Sequence, residues 1–496
     1  MSKSKIDLSN ISRRQFIRRA ACAGVGTLAM TSAISQLRWM NAAVAQSSIS
    51  DYKALVCIFL QGGNDSNNLV IPTIQSQYNN YASIRTPVLA IPQTAILPVT
   101  SLNPDGNTYG MHPSCPELVT LFGEGKLAFL FNTGTLLYPI TRAQYLAGTV
   151  AQPPQLFSHA DQQTQWQTSI PDQPPTTGWG GRVADLLNSV QPNTPISLMV
   201  SLAGANTFEV GNIVSSYSVS TSGAVSLSLP GTPSGGASTN RLPTLMNILG
   251  LPYTNLQAQA YASVAEQAIN TGALLNNAIS NTASATFWSN AFPVKITPPE
   301  GGTPFTSTLS PQLEMVARLI AAGNTPLAQG GFGMKRQIFF CQVGGYDLHT
   351  GQTNYTANDP SDVLQGAHTN LLAELSQSVY AFQRAMEQLG LGNQVTSFTC
   401  SDFSRTFPSN GEGSDHGWGS HHLIFGGAVK GQKTYGQFPV QTVNGPNDTN
   451  TGRWIPTTAI DQYFATLATW FGIDADNLAT VFPNLSRFPS SNLGFV

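Results

Sequence analysis

Several stretches of the chain are apolar without alternation. They are Lys53 to Gln61 (KALVCIFLQ), Leu127 to Asn132 (LAFLFN), Pro195 to Leu202 (PISLMVSL), Gln337 to Val343 (QIFFCQV) and Val395 to Cys400 (VTSFTC). A strand with one wet face alternates polar and apolar residues. An unbroken apolar run fits a strand covered on both faces, as in a parallel sheet. Between these runs the apolar residues recur at helical spacing. Pro113 to Gly123 is one such segment and Thr458 to Phe471 another. His368 to Leu389 is the clearest, with Leu371, Leu372, Leu375, Val379, Phe382 and Met386 in register. Strand and helix in alternation predict an α/β protein: a three-layer sandwich with a mostly parallel central sheet.

From about 203 to 299 the pattern changes. A stretch rich in Ser, Thr and Gly (SSYSVSTSGAVSLSLPGTPSGGAST) gives way to a polar, Ala- and Asn-rich helical pattern from Thr254 to Ser289. No linker brackets it, so we read it as an insertion covering one edge of a single domain over 46–496. No repeat period is visible.

The chain has 496 residues and 41% hydrophobic content, ample for a large core. Its formal net charge of -2 gives no basic face for nucleic acid. The N-terminus reads as an address. Ser12-Arg13-Arg14-Gln15-Phe16-Ile17 is a twin-arginine pattern, a weakly apolar stretch runs from Ala20 to Ile34, and Ala43-Val44-Ala45 offers a small-x-small cleavage site. These features predict a signal peptide over 1–45, the twin-arginine translocase as an export partner, and a periplasmic or secreted mature chain. The apolar stretch is too short for an anchor, and no transmembrane helix is expected in the mature chain. Cys57, Cys341 and Cys400 lie inside strand-like runs, and Cys115 lies in a Pro-flanked loop. Their spacing fits neither a disulfide framework nor a CxxC metal site, and the strand positions suit buried thiols.

Only 10% of residues are charged, yet Asp and His gather at a few strand ends. These are Gln61-Gly62-Gly63-Asn64-Asp65, Gly344-Gly345-Tyr346-Asp347-Leu348-His349, Cys400-Ser401-Asp402 and the run from Ser414 to His422, which holds Asp415, His416, His421 and His422. Ligands of parallel sheets bind beyond the carboxyl ends of strands. Carboxylate with imidazole is the donor chemistry of a divalent metal site. Asp65 also suits an Asx turn, and Asp402 a helix N-cap. Of the adjacent His421 and His422, at most one is a direct ligand. Ser158 precedes a helical run and serves either as its N-cap or as a nucleophile favoured by the helix end. His159 beside it assists or ligates. Arg142 and Arg405 are candidates for anion contacts, since a guanidinium fork matches phosphate and sulfate geometry. His112, at a helix start, suits the cleft lining or a cap, and His368, within a helical stretch, a structural or surface role. GxSxG, P-loop and Rossmann glycine patterns are absent.

Taken together, ALVCIFLQGGNDSNNLVIP, YGMHPSCPEL, GGYDLHTGQ, VTSFTCSDFSRT, GSDHGWGSHHLIFGGAVKG and GRWIPTTAIDQYFATLATWFG resemble a large family of twin-arginine-exported bacterial proteins. That family is placed in the alkaline phosphatase superfamily, alongside sulfatases and phosphodiesterases. The resemblance implies an alkaline-phosphatase-like fold with one or two divalent ions (Zn, Ca, Mg or Mn). It implies Asp65, Asp347, His349, Asp402 and His416 as metal ligands and Ser158 as nucleophile. Phe403 stands where the superfamily commonly has a histidine, which removes one ligand; His159, His421 or His422 is then the compensating candidate. The function so implied is an exported metal-dependent hydrolase, phosphatase- or sulfatase-like, acting on small-molecule or glycan esters of phosphate or sulfate. The alternative is a catalytically degenerate relative that binds metal or ligand in the cell envelope.

Overall fold

The computed structural model describes residues 49–174, 176–191, 194–224, 241–251 and 256–496. The twin-arginine pattern and the expected cleavage site lie outside these residues. Among the described residues, nine strands form the main sheet. In chain order they are β1 (Lys53–Leu60), β2 (Leu127–Gly134), β3 (Met199–Ser201), β4 (Tyr217–Ser218), β5 (Arg336–Val343), β6 (Val395–Ser401), β7 (Ser420–Gly426), β8 (Thr434–Gly436) and β9 (Thr458–Ala459). Their order across the sheet is β8-β2-β7-β6-β1-β5-β3-β4, with β9 pairing β2. Every pairing is parallel except those of β7 with β6 and β2. The helices used below are α1 (Gln75–Leu89), α2 (Pro116–Gly123), α3 (Arg142–Ala147), α4 (His159–Thr168), α5 (Trp179–Leu187), α6 (Leu256–Ser280), α7 (Leu309–Asn324), α8 (Ala367–Gln388) and α9 (Ile460–Phe471). On one face α2, α7 and α8 pack together against the sheet, with α6 against α7; on the other lie α4, α5 and α9. This is the three-layer, mostly parallel arrangement expected of unbroken apolar strands. β1 shows why: Ala54 to Leu60 are all buried, with both faces covered.

The differences from the sequence pattern are local. Pro195 to Leu202 yields only the short β3, and Thr458–Ala459 pair as a strand before α9 begins. The run around His421 and His422 is the buried strand β7. Its imidazoles obey the strand period of two. The His421 ring packs on Phe131 and Phe438, and the His422 ring on Trp166 and Tyr463. Cys57, Cys115, Cys341 and Cys400 are free and buried. Among the described residues, no helix is long and apolar enough to cross a membrane.

Topology places the chemistry. β6, β1 and β5 are parallel neighbours, so the loops carrying Asp402, Gly62 and Asp347 leave the same end of the sheet. β7 runs the other way, so the loop that enters it, with His416, arrives at that end too. β2 ends there as well and leads towards α4. Crowding at this end demands glycine. Gly62 sits at φ +115, and a Cβ on it would stand 2.4 Å from the Asp347 nitrogen. A Cβ on Gly413 would stand 2.3 Å from the Leu348 carbonyl oxygen. The glycines thus let neighbouring loops abut.

Candidate metal centre

His159, Asp347 and His416 bring one ligand atom each within 4.8 Å of one another. The closest approaches are 3.1 Å between the two Nε2 atoms, 3.3 Å from His416 Nε2 to Asp347 Oδ1, and 3.4 Å from His159 Nε2 to Asp347 Oδ2, so Asp347 meets the two imidazoles through different oxygens. His349 flanks this group, its Nε2 lying 3.0 Å from that of His416 and 3.2 Å from Asp347 Oδ1.

Each imidazole is held by its other nitrogen. His159 Nδ1 lies 2.7 Å from Asp402 Oδ2, His349 Nδ1 2.9 Å from Asp415 Oδ1, and His416 Nδ1 2.7 Å from the Phe157 carbonyl oxygen. These oxygens accept, so each Nδ1 carries the proton, and in the neutral ring Nε2 presents a lone pair. Lone pairs facing one another across 3.0 and 3.1 Å repel unless a cation lies among them. Buttressing of a ligating imidazole by carboxylate or carbonyl is the usual support of a metal site.

The supports are themselves anchored. Asp402 is fully buried; its Oδ1 accepts from the Gly62 amide at 3.1 Å, and its Oδ2 also accepts from Gln163 Nε2 at 2.9 Å. The Phe403 ring lies 4.8 Å from the His159 ring and 4.6 Å from that of His416, and so packs against both imidazoles. Phe157 adopts φ +74 and Gln155 φ +51. Such backbone is uncommon for these residue types and is held here by the surrounding contacts. The hydrogen bond with Asp402 raises the pKa of His159, against burial. Burial lowers that of His416. Burial would raise the pKa of Asp347, but Arg405 holds it below the ordinary carboxylate value.

Other expected residues lie elsewhere. Asp65 is buried outside this group, its Oδ2 paired with Arg85 and accepting from Gln352 Nε2 at 2.5 Å, while Oδ1 accepts from Asn67 at 3.3 Å. Asp402 reaches the centre only through His159. His421 is a strand residue whose Nδ1 accepts from the Asn132 amide at 3.1 Å. Burial lowers its pKa to about 3, as it does for His422 and His112, so these rings are neutral. Arg405 is buried and committed: Nη1 donates to Asp347 Oδ1 at 2.8 Å and to the Gly62 carbonyl at 3.2 Å, and Nη2 to the Ser414 carbonyl. It holds a candidate ligand and two loops, leaving little for an anion. Arg142, partly buried at the start of α3, donates through Nη2 to Asn450 at 2.8 Å and Asn444 at 3.4 Å. Ser158 is the residue before α4, and its hydroxyl donates to Asp161 Oδ2 at 2.6 Å. Sequence reasoning left the supporting groups unassigned: Asp415, Gln163 and the Phe157 carbonyl. Asp415 was visible in its run, whereas a backbone carbonyl has no sequence signal.

A family model described as "Protein of unknown function (DUF1501)" matches residues 300–482. The match spans Asp347, His349, Asp402 and His416 but not His159. No curated protein sequence matches the chain. Among solved structures, the chain is similar to the C-terminal periplasmic domain of EcEptC from Escherichia coli in complex with Zn. The TM-score is 0.29 at 9% identity, covering 77% of this chain and 74% of that one. It is also similar to the PsFucS1 sulfatase from Pseudoalteromonas sp., with a TM-score of 0.32 at 10% identity, covering 89% of this chain and 72% of that one. A third is Ps i-CgsB in complex with k-i-k-neocarrahexaose, with a TM-score of 0.30 at 8% identity, covering 88% and 77%.

Proposed function

We propose that the protein is an exported metal-dependent hydrolase of phosphate or sulfate esters, with its ion held by His159, Asp347 and His416. One observation carries the reading: three residues whose donor atoms lie within 4.8 Å of one another, with the two Nε2 atoms 3.1 Å apart, one 3.3 Å from Oδ1 and the other 3.4 Å from Oδ2 of Asp347, and both imidazoles locked with Nε2 inward. Donors on a tetrahedral zinc at about 2.0–2.1 Å lie roughly 3.3–3.4 Å apart. The donor set matches. Imidazole with carboxylate suits zinc, whereas calcium and magnesium prefer all-oxygen shells. His349 stands beside this face as the fourth donor, or yields that position to substrate. Asp65 is consumed by Arg85, and Phe403 occupies the place of a further histidine, so the residues present favour one ion rather than two.

A divalent ion bound here would supply Lewis-acid polarisation of a non-bridging ester oxygen. The chain supplies the rest. Ser158 immediately precedes His159 and donates to Asp161. In this reading its oxygen bonds to phosphorus or sulfur, its proton passes to Asp161, and the bond to the ester oxygen breaks. Water then hydrolyses the Ser158 ester. The twin-arginine pattern supports export of the folded, loaded protein. The test is elemental analysis of protein purified without chelator, followed by aryl phosphates and aryl sulfates. Stoichiometric metal with turnover that falls in H159Q and S158A supports the reading; protein without metal refutes it.

A second reading, a metal-binding protein without turnover, is favoured by the committed state of Asp65 and Arg405. Stoichiometric metal with no hydrolysis of either ester class would select it.

A further inference from the structure

We propose that Arg453 is the residue that grips the oxyanion of the substrate at this centre. The inference rests on the ester-hydrolase reading above. A guanidinium fork matches the oxyanion of a phosphate or sulfate ester, and the arginines expected to supply one make other contacts. Arg405 is locked to Asp347 and two carbonyls, and Arg142 donates through Nη2 to Asn444 and Asn450 and to none of the candidate ligands.

Arg453 is differently placed. Its Nε donates to the His416 carbonyl at 2.7 Å, which ties it to the backbone of a candidate ligand. Its guanidinium carbon lies 4.3 Å from the centroid of the Phe157 ring, and the carbonyl of that same Phe157 accepts from His416 Nδ1. One end of the fork is therefore fixed and one face is covered. Neither Nη makes a hydrogen bond or ion pair among the described residues, and the side chain is partly exposed. Its backbone is rigid. Buried Asp448 accepts from the amides of Gly452 at 2.8 Å and Arg453 at 3.1 Å, and Trp454 Nε1 donates to Asn67 Oδ1 at 2.8 Å. A cation anchored by Nε and stacking, with both Nη atoms free, is preorganised for two oxygens of a tetrahedral anion.

The test uses the full chain loaded with zinc and titrated calorimetrically with inorganic sulfate and, separately, inorganic phosphate, with zinc content measured on each sample. R453Q should keep its zinc and bind the better anion at least about tenfold more weakly, the loss of a charge-assisted contact. R453K, which keeps charge without the fork, should fall between. Unchanged anion affinity in zinc-loaded R453Q overturns the proposal. So does loss of zinc in R453Q, which would make Arg453 only a support of His416. If the zinc-loaded wild-type protein binds neither anion, this proposal fails along with the ester reading. If the wild type takes up no zinc, the metal assignment itself has failed.

Discussion

His159 Nε2 and His416 Nε2 face each other across 3.1 Å, while each ring's Nδ1 is held at 2.7 Å by an oxygen, that of Asp402 for one and of Phe157 for the other. Neither ring can turn its proton inward without giving up a hydrogen bond on its far side. The pair is therefore set to share a cation.

The support of His159 is the first thing to test. D402N keeps the volume and the contact with the Gly62 amide but replaces a carboxylate acceptor by an amide. Loss of such a supporting partner typically costs 10–100-fold in metal affinity. A competition titration against a chromophoric chelator should show zinc affinity reduced by that factor, with the fold retained by circular dichroism. Affinity equal to wild type would mean that Asp402 does not act through His159.

Metal binding should register as stability. An ion that binds only the folded chain stabilises it by about 4 kcal/mol at a thousand times its Kd. Zinc should raise the unfolding temperature and a chelator should lower it. Calcium and magnesium should leave it nearly unchanged, because nitrogen donors suit them poorly. H416Q should abolish the zinc response. A calcium shift as large as that with zinc would contradict the donor assignment.

The scaffold was more legible than the site. Continuous apolar runs mark strands covered on both faces, and β1, β2, β5 and β6 lie where such runs predicted. β7 carries no unbroken apolar run, because Ser420, His421 and His422 begin it. Burial of the two histidines on opposite faces of one strand follows from pairing with β2 and β6, which sequence periodicity does not encode. At the site, the strand ends announced Asp347, His349 and His416. The commitment of Asp65 to Arg85 depends on where α1 packs, and that of Arg405 on the fold of the 402–418 loop. Neither partnership has a local signature.

Glu209 sets a pH dependence independent of the metal. It is buried, and burial pushes its pKa up to about 8 although Asn206 donates to Oε2 at 2.9 Å. Unfolded, a glutamate titrates near 4.3. Between those values the folded state binds the extra proton, so stability falls as pH rises from about 4.5 towards 8. E209Q, which stays neutral, should be more heat-stable than wild type at pH 8 and closely similar at pH 4.5. A pH-independent difference between the two proteins would show that the carboxyl does not titrate in this window.

The buried pair of Asp65 and Arg85 separates two roles for a carboxylate at the end of the first strand. As a metal ligand, Asp65 would hold zinc, and D65N would lose it. The structure shows Asp65 opposite Arg85, with Gln352 also donating to it. Burial would raise its pKa, but the charge of Arg85 holds it below the ordinary value. Removing one member of such a pair leaves the other charge buried without compensation, at a cost of about 3–5 kcal/mol. R85Q should therefore lower the free energy of unfolding by about that amount in a urea titration. D65N should be destabilised as well, since it strands the Arg85 cation. Both variants, folded at low temperature, should retain zinc at wild-type stoichiometry, because the His159, Asp347 and His416 donors do not include Asp65. Zinc lost from folded D65N but kept by R85Q would return Asp65 to the coordination shell. Such a result would require Arg85 to release the carboxylate when the ion binds.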